Sequence, residues 1–158
     1  MRFFQLIKKR ISKTPKRTNT SYLVHKELAR NLIVERLQFF NTKGEFTYSR
    51  VAIRDQRRCW GSCSSKGNLN FSYKLLFLPA CLRDYIIVHE LCHLKVLNHS
   101  ASFWAEVEAR MPDYVSRMHH LRTIEKTLGT SVVALKKYQA THTCVICADK
   151  TIHAPLVK

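Results

Sequence analysis

His89, Glu90 and His93 form an H-E-x-x-H run, and a third histidine follows at His99. On a helix, residues four apart share a face, about 40° apart around the axis. The imidazoles of His89 and His93 therefore point the same way. Two such rings can share a zinc ion, which takes nitrogen ligands at about 2.0–2.1 Å. Glu90 falls about 100° round from His89 and about 60° from His93. A carboxylate there stands beside a metal but not on it. From that position a general base can take a proton from a metal-bound water.

His99 lies six residues after His93. A straight helix would carry it nearly two turns further on, out of reach of the same ion. The chain must turn between them, and Asn98 is the residue of 94–98 that most readily takes the left-handed conformation ending a helix. Three protein ligands leave the fourth position of zinc for water, as in catalytic rather than structural sites.

Around this run the sequence is apolar: Leu82, Tyr85, Ile86, Ile87 and Val88 precede it, and Leu91, Leu94 and Val96 run through it. Two histidines and a glutamate on a buried helix are costly unless paired or metal-bound. The competing reading is a set of core histidines satisfied by hydrogen bonds. Glu106 and Glu108 compete with His99 for the third ligand position, and the one not used could orient a ligand histidine instead. His99 arrives sooner along the chain and is preferred. Cys144 and Cys147, with His142 before and His153 after, offer one C-x-x-C pair where a zinc ribbon needs two. Cys63 reads as a small buried side chain.

These residues need elements to hold them. Apolar residues at Leu23, Leu28, Leu32, Ile33, Leu37 and Phe40 predict an amphipathic helix over 22–40, ended by Asn41-Thr42-Lys43-Gly44. The aromatic and β-branched run 46–53 predicts a strand. A second strand is expected around 59–62, and a third from Leu69 to Phe77 after a turn at Ser65-Lys66-Gly67-Asn68. The metal helix is expected over about 81–97. Ser100 or Ser102 caps the next helix, whose apolar face is Phe103, Trp104, Val107 and Met111. Pro112 breaks it. Helical period resumes over 113–128, Gly129 stops it, and 131–138 suits a short last helix. Strands followed by packed helices predict an α+β fold with a small antiparallel or mixed sheet on helices and the H-E-x-x-H helix at its core. The expected organisation is a basic arm over 1–20, one domain over 21–140 and a tail over 141–158.

The 158 residues carry a net charge of +16. Seven basic residues and no acid fall within 1–20, and the rest holds 20 basic and 11 acidic residues. Such an excess favours phosphate backbones by counterion release, so nucleic acid is a second class of partner. No base-reading motif accompanies it. No run approaches the roughly 18 apolar residues that span a bilayer. The stretch 3–7 is too short for a signal-peptide core, so the protein is read as cytoplasmic, with its cysteines as thiols.

Several ordered blocks add a resemblance. They are Trp60-Gly61-Ser62-Cys63-Ser64-Ser65, Gly67-Asn68-Leu69-Asn70, Asp84-Tyr85, His89-Glu90-Leu91-Cys92-His93-Leu94, Asn98-His99-Ser100, Phe103-Trp104 and Met111-Pro112-Asp113-Tyr114. Over roughly 45–125 the chain resembles the YgjP-like metallopeptidase family, zincins similar to the SprT-like and WLM-type peptidases. Cys59 departs from the arginine usual before the Trp-Gly-Ser-Cys block. Metzincins share the histidine spacing but carry glycine where Val96 stands. The resemblance implies a zincin-like fold, Zn²⁺ on His89, His93 and His99, Glu90 as base, and a peptide or unfolded protein as substrate. It also implies that extended substrate pairs with a sheet edge, for which the strand after the Trp60 block is the expected one. An oxyanion donor is needed, with Tyr114, His119 and His120 as candidates. The rival reading is a basic nucleic-acid-binding protein with a structural or idle metal helix. A combined reading is a peptidase acting on DNA-associated proteins.

Overall fold

A computed structural model describes residues 20–141. The basic arm up to residue 19, and the tail with His142, Cys144, Cys147 and His153, lie outside the described residues.

Helix α1 (Thr20–Phe40) buries Ala29, Ile33 and Leu37, a stripe at i, i+4 and i+8 that faces one way. Leu23 and Leu28 are more than half exposed, so the buried face lies to one side of the expected one. Two polar anchors select it. The Tyr22 hydroxyl donates to the Ile53 carbonyl at 2.9 Å. Arg36 grips Asp84 through Nε and Nη2 at 2.9 and 2.8 Å. After α1 the Asn41 side chain brackets the Phe46 backbone, accepting from its N–H and donating to its carbonyl. Gly44 takes the tight turn between them at φ +66°.

The sheet is mixed and three-stranded, in the order β1 (Arg50–Arg54), β3 (Asn68–Ser72), β2 (Gly61–Cys63). β1 runs parallel to β3 and β2 antiparallel to it. The expected strand over 46–53 begins only at Arg50, because Phe46 is bonded to Asn41 rather than to a neighbouring strand. The expected strand over 69–77 stops at Ser72. There the Ser72 hydroxyl accepts from the Lys74 N–H and starts a 3-10 turn over Tyr73–Phe77. β3 is central, so the open edge beside the Trp60 block is β2 itself and not the strand that follows it.

Pro79 leads into α2 (Ala80–Cys92), ten of whose thirteen residues are buried. This central helix packs against α1, β2 and the two helices that follow it, α3 (Ala101–Arg110) and α4 (Tyr114–Leu128). Arg117, 1% exposed, fastens α4 to the start of α2 by donating to the Cys81 carbonyl, while Asp113 balances its charge at 2.8 Å. Gly129 closes α4 at φ +59°, a conformation that costs glycine little. Helix α5 (Val132–Thr141) completes the order. The result is a helix-rich α+β fold around α2. Among the described residues no helix is long and apolar enough to cross a membrane.

Candidate active site

α2 ends at Cys92, with His93 as its C-terminal cap, five residues short of the expected end at 97. The reason is local. His93 Nδ1 lies 3.0 Å from the Val96 carbonyl, and the Val96 N–H returns to the Cys92 carbonyl. The chain thus folds back immediately after His93. Asn98 does not take the left-handed conformation expected of it, since no described residue other than glycine has positive φ.

This reversal brings His99 to the other two histidines. Nε2 of His89 is 3.1 Å from Nε2 of His93 and 3.1 Å from Nε2 of His99. Tetrahedral ligands at zinc distances stand about 3.3 Å apart. The three residues form a group able to hold a metal ion, with their ligand atoms all within 4.8 Å of one another. A carbonyl can only accept, so Val96 fixes the His93 proton on Nδ1 and leaves Nε2 bare for a metal.

Aromatic rings set the orientation of the imidazoles. Phe103 of α3 stacks on His93 with centroids 4.3 Å apart and presents its edge to His89. Trp104 stacks on His99 at 5.6 Å and on Tyr114 at 5.4 Å. The apolar face read from the sequence of α3 is therefore partly a frame for histidines. Burial, with His93 and His99 close by, pushes the His89 pKa down to about 3, and burial also lowers that of His93. Neutral imidazole is the form that ligates metal.

Glu90 is 5% exposed. Its Oε2 is buried without a hydrogen-bond partner, and burial raises its pKa to about 8. Gly61 of β2 lies directly against it: a Cβ at that position would stand 2.6 Å from Oε1. An orphaned buried carboxylate oxygen on the residue next to His89 lacks a positive charge. A divalent ion would provide one, so these residues fit a metal ion.

Glu106 does not approach the histidines. It pairs with Lys95 and Arg110 at the surface, and Glu108 is exposed. Neither joins the histidine group, and the carbonyl of Val96 contacts His93 in the orienting role expected of a glutamate. Cys63 is half-buried with its thiol pushed up to about 11, Cys59 is exposed, and neither joins the ligand group.

His89 and His99 open on a cleft of about 410 Å³, walled by Tyr85, Trp104, Met118, Leu121, Arg122 and Glu125. Its far wall is α4 rather than a strand. Trp60, next to β2, reaches that wall by donating from Nε1 to Glu125 Oε1 at 2.7 Å. None of the three expected oxyanion donors lines this cleft. Tyr114 stacks behind Trp104, His119 is exposed, and His120 bonds the Tyr138 hydroxyl at 2.8 Å. Tyr85 and Arg122 do line it, and the sequence reading passed over both. The signal for Tyr85 was present, since 85, 89 and 93 follow one helical stripe.

The family model for the YgjP-like metallopeptidase domain matches residues 2–124. Among solved structures, the crystal structure of the metallopeptidase zymogen of Pyrococcus abyssi abylysin is similar, with a TM-score of 0.48 and 28% identity. The similarity covers 63% of this chain and 94% of that one. No curated protein matches the chain.

Proposed function

The chain belongs to the YgjP-like metallopeptidase family, and on that footing we propose that it is a zinc-dependent peptidase of zincin-like fold. His89, His93 and His99 hold the ion, Glu90 is the general base, and the catalytic unit is residues 21–140. One observation carries this reading: three histidine Nε2 atoms converge, and Glu90, next to His89 in the chain, keeps a buried carboxylate oxygen that has no partner of its own. Zinc, when bound, polarises the scissile carbonyl and acidifies a coordinated water. Glu90 accepts a proton from the attacking water and delivers it to the departing amine. Gly61 holds that carboxylate in place from below. Val96, Phe103 and Trp104 keep the imidazoles aimed at one point. Among the described residues the β2 strand has β3 on one side only, so its other edge can take an extended peptide. Main-chain pairing there gives affinity with little side-chain preference, which suits unfolded protein as substrate.

The test is elemental analysis of the purified protein together with a casein-cleavage assay. We expect one zinc per chain and cleavage that a chelator abolishes. Glu90→Gln should retain the zinc and lose turnover, by roughly 10²–10⁴-fold for a general base. A zinc-loaded wild-type protein that cleaves no unfolded substrate would defeat the assignment of these residues. The nucleic-acid expectation rests on the net charge of +16, carried by the basic surface as well as by the arm over 1–20; the arm lies almost wholly outside the described residues, and the site geometry adds nothing to that expectation.

A further inference from the structure

We propose that Tyr85 is a catalytic hydrogen-bond donor, its phenol holding the oxygen of the scissile carbonyl as that oxygen gains charge. This rests on the peptidase reading above and adds a residue to it. Tyr85 stands one helical turn before His89 on the stripe that continues to His93. Its ring meets the His89 ring at a centroid distance of 5.9 Å and an angle of 64°. The residue is 4% exposed, yet it lines the cleft on which His89 and His99 open.

No hydrogen bond ties its hydroxyl to another described residue, and that oxygen is not among the buried unpartnered atoms, so it faces the cleft rather than the core. The half-buried Tyr22 and Tyr138 are instead committed to protein partners, the Ile53 carbonyl and His120. The Tyr85 hydroxyl is left at the wall of the cleft beside two proposed metal ligands. A donor kept unmatched there is free for an acceptor that arrives with the substrate. The histidines leave no such role to themselves, since the bare nitrogens of His89, His93 and His99 face one another.

In the reaction, the water oxygen bonds to the carbonyl carbon and the C=O π pair moves onto the carbonyl oxygen. Tyr85 donates a hydrogen bond to that oxygen and keeps its proton. The pair then re-forms the double bond as the C–N bond breaks. Glu90 passes the proton it took from water to the amine nitrogen. One water and one peptide bond become one carboxylic acid and one amine, and Tyr85 ends as it began.

The test is Tyr85→Phe in the zinc-loaded enzyme, a change that keeps the ring and removes the hydroxyl. Loss of an oxyanion donor lowers kcat by about 10²–10³-fold. We expect that loss with KM changed only a few-fold and one zinc per chain retained. A binding measurement separates this from a structural role. Affinity for a phosphinic peptide, which mimics the tetrahedral state, should fall by a similar factor, while affinity for a cleaved-product peptide holds. If zinc content drops in the variant, the ratio of the two affinities in the zinc-loaded fraction still decides. An unchanged ratio, or a wild-type kcat, overturns the role of Tyr85. So does transfer of the whole effect to Arg122→Gln. If instead wild-type enzyme cleaves nothing, the peptidase reading of the site fails, which is a separate outcome.

Discussion

Gly61→Ala would place one methyl group against the Glu90 carboxylate, the proposed general base. Gly61 is not among the positive-φ glycines, so space rather than backbone conformation requires it. The new Cβ would lie 2.6 Å from Oε1, 2.7 Å from Cγ and 2.8 Å from Cδ of Glu90. Favourable contacts begin at about 3.5 Å, so each atom must retreat by roughly 0.7–0.9 Å. The three are consecutive atoms beyond Cβ, and the one torsion that moves them together, about Cα–Cβ, swings the whole carboxylate out of its position. Glu90 is 5% exposed and has little room to move. The carboxylate or the strand must therefore shift by nearly an ångström, and a misplacement of about 1 Å near the chemistry costs on the order of 10²-fold. Overpacking of this kind also costs about 1–3 kcal/mol of stability. The assay is kcat/KM on a quenched fluorescent peptide, with zinc content and Tm measured on the same samples. We expect about 100-fold lower kcat/KM with the zinc retained, since the three atoms nearest a Gly61 Cβ all belong to Glu90. Gly44→Ala is the control: its position is open, with nothing within 4 Å, and only turn strain should register. Gly61→Ala with wild-type kcat/KM would refute the reasoning, as would a loss no larger than its unfolded fraction.

His93→Ala should lose zinc, because two histidines and water bind it poorly; full occupancy by elemental analysis would remove His93 as a ligand. Folding stability of the metal-free protein should fall as pH rises from about 6.5 to about 8. In that window the native Glu90, with its pKa raised from 4.5 to about 8, holds a proton that the unfolded chain has released. The His89 term, with its pKa lowered from 6.5 to about 3, is already saturated there. The slope is at most about 1.4 kcal/mol per pH unit, and Glu90→Gln should flatten it in urea titrations across that range. Arg36→Met should destabilise the fold by about 3 kcal/mol, because it strands the buried Asp84 carboxylate; a Cm within error of wild type would show that Asp84 finds another partner.

The metal-binding face was readable because helical geometry ties 89, 90 and 93 together whatever the rest of the fold does. That His99 would join the other two histidines was readable, since its spacing forces a reversal. The way the chain reverses was not: it depends on the His93 ring finding the Val96 carbonyl, a contact no propensity describes. Gly61 sits 29 positions before Glu90 in the sequence. Only the order of the sheet brings them together, so its need to be glycine could not be read locally. The same holds for α1, where Arg36 and Tyr22 choose the buried face and override the exposed leucines at 23 and 28. Ser72 ended the third strand by capping its own next turn, a side-chain event inside a run that is apolar on both sides.

The three histidines and Glu90 all fall within eleven consecutive residues, from 89 to 99. Closing so short a stretch costs little chain entropy, and local contacts form early in folding. Seating Gly61 against Glu90 is a long-range event that waits for β2 to dock. Metal capture and proton-transfer geometry therefore mature at different times along the folding route. A nascent chain can acquire its ion, and gain folding free energy from it, before it is able to cut. The order matters for a protease made among unfolded neighbours, because a long-range contact, later to form than the local ones, is the one that completes its proposed proton-transfer geometry.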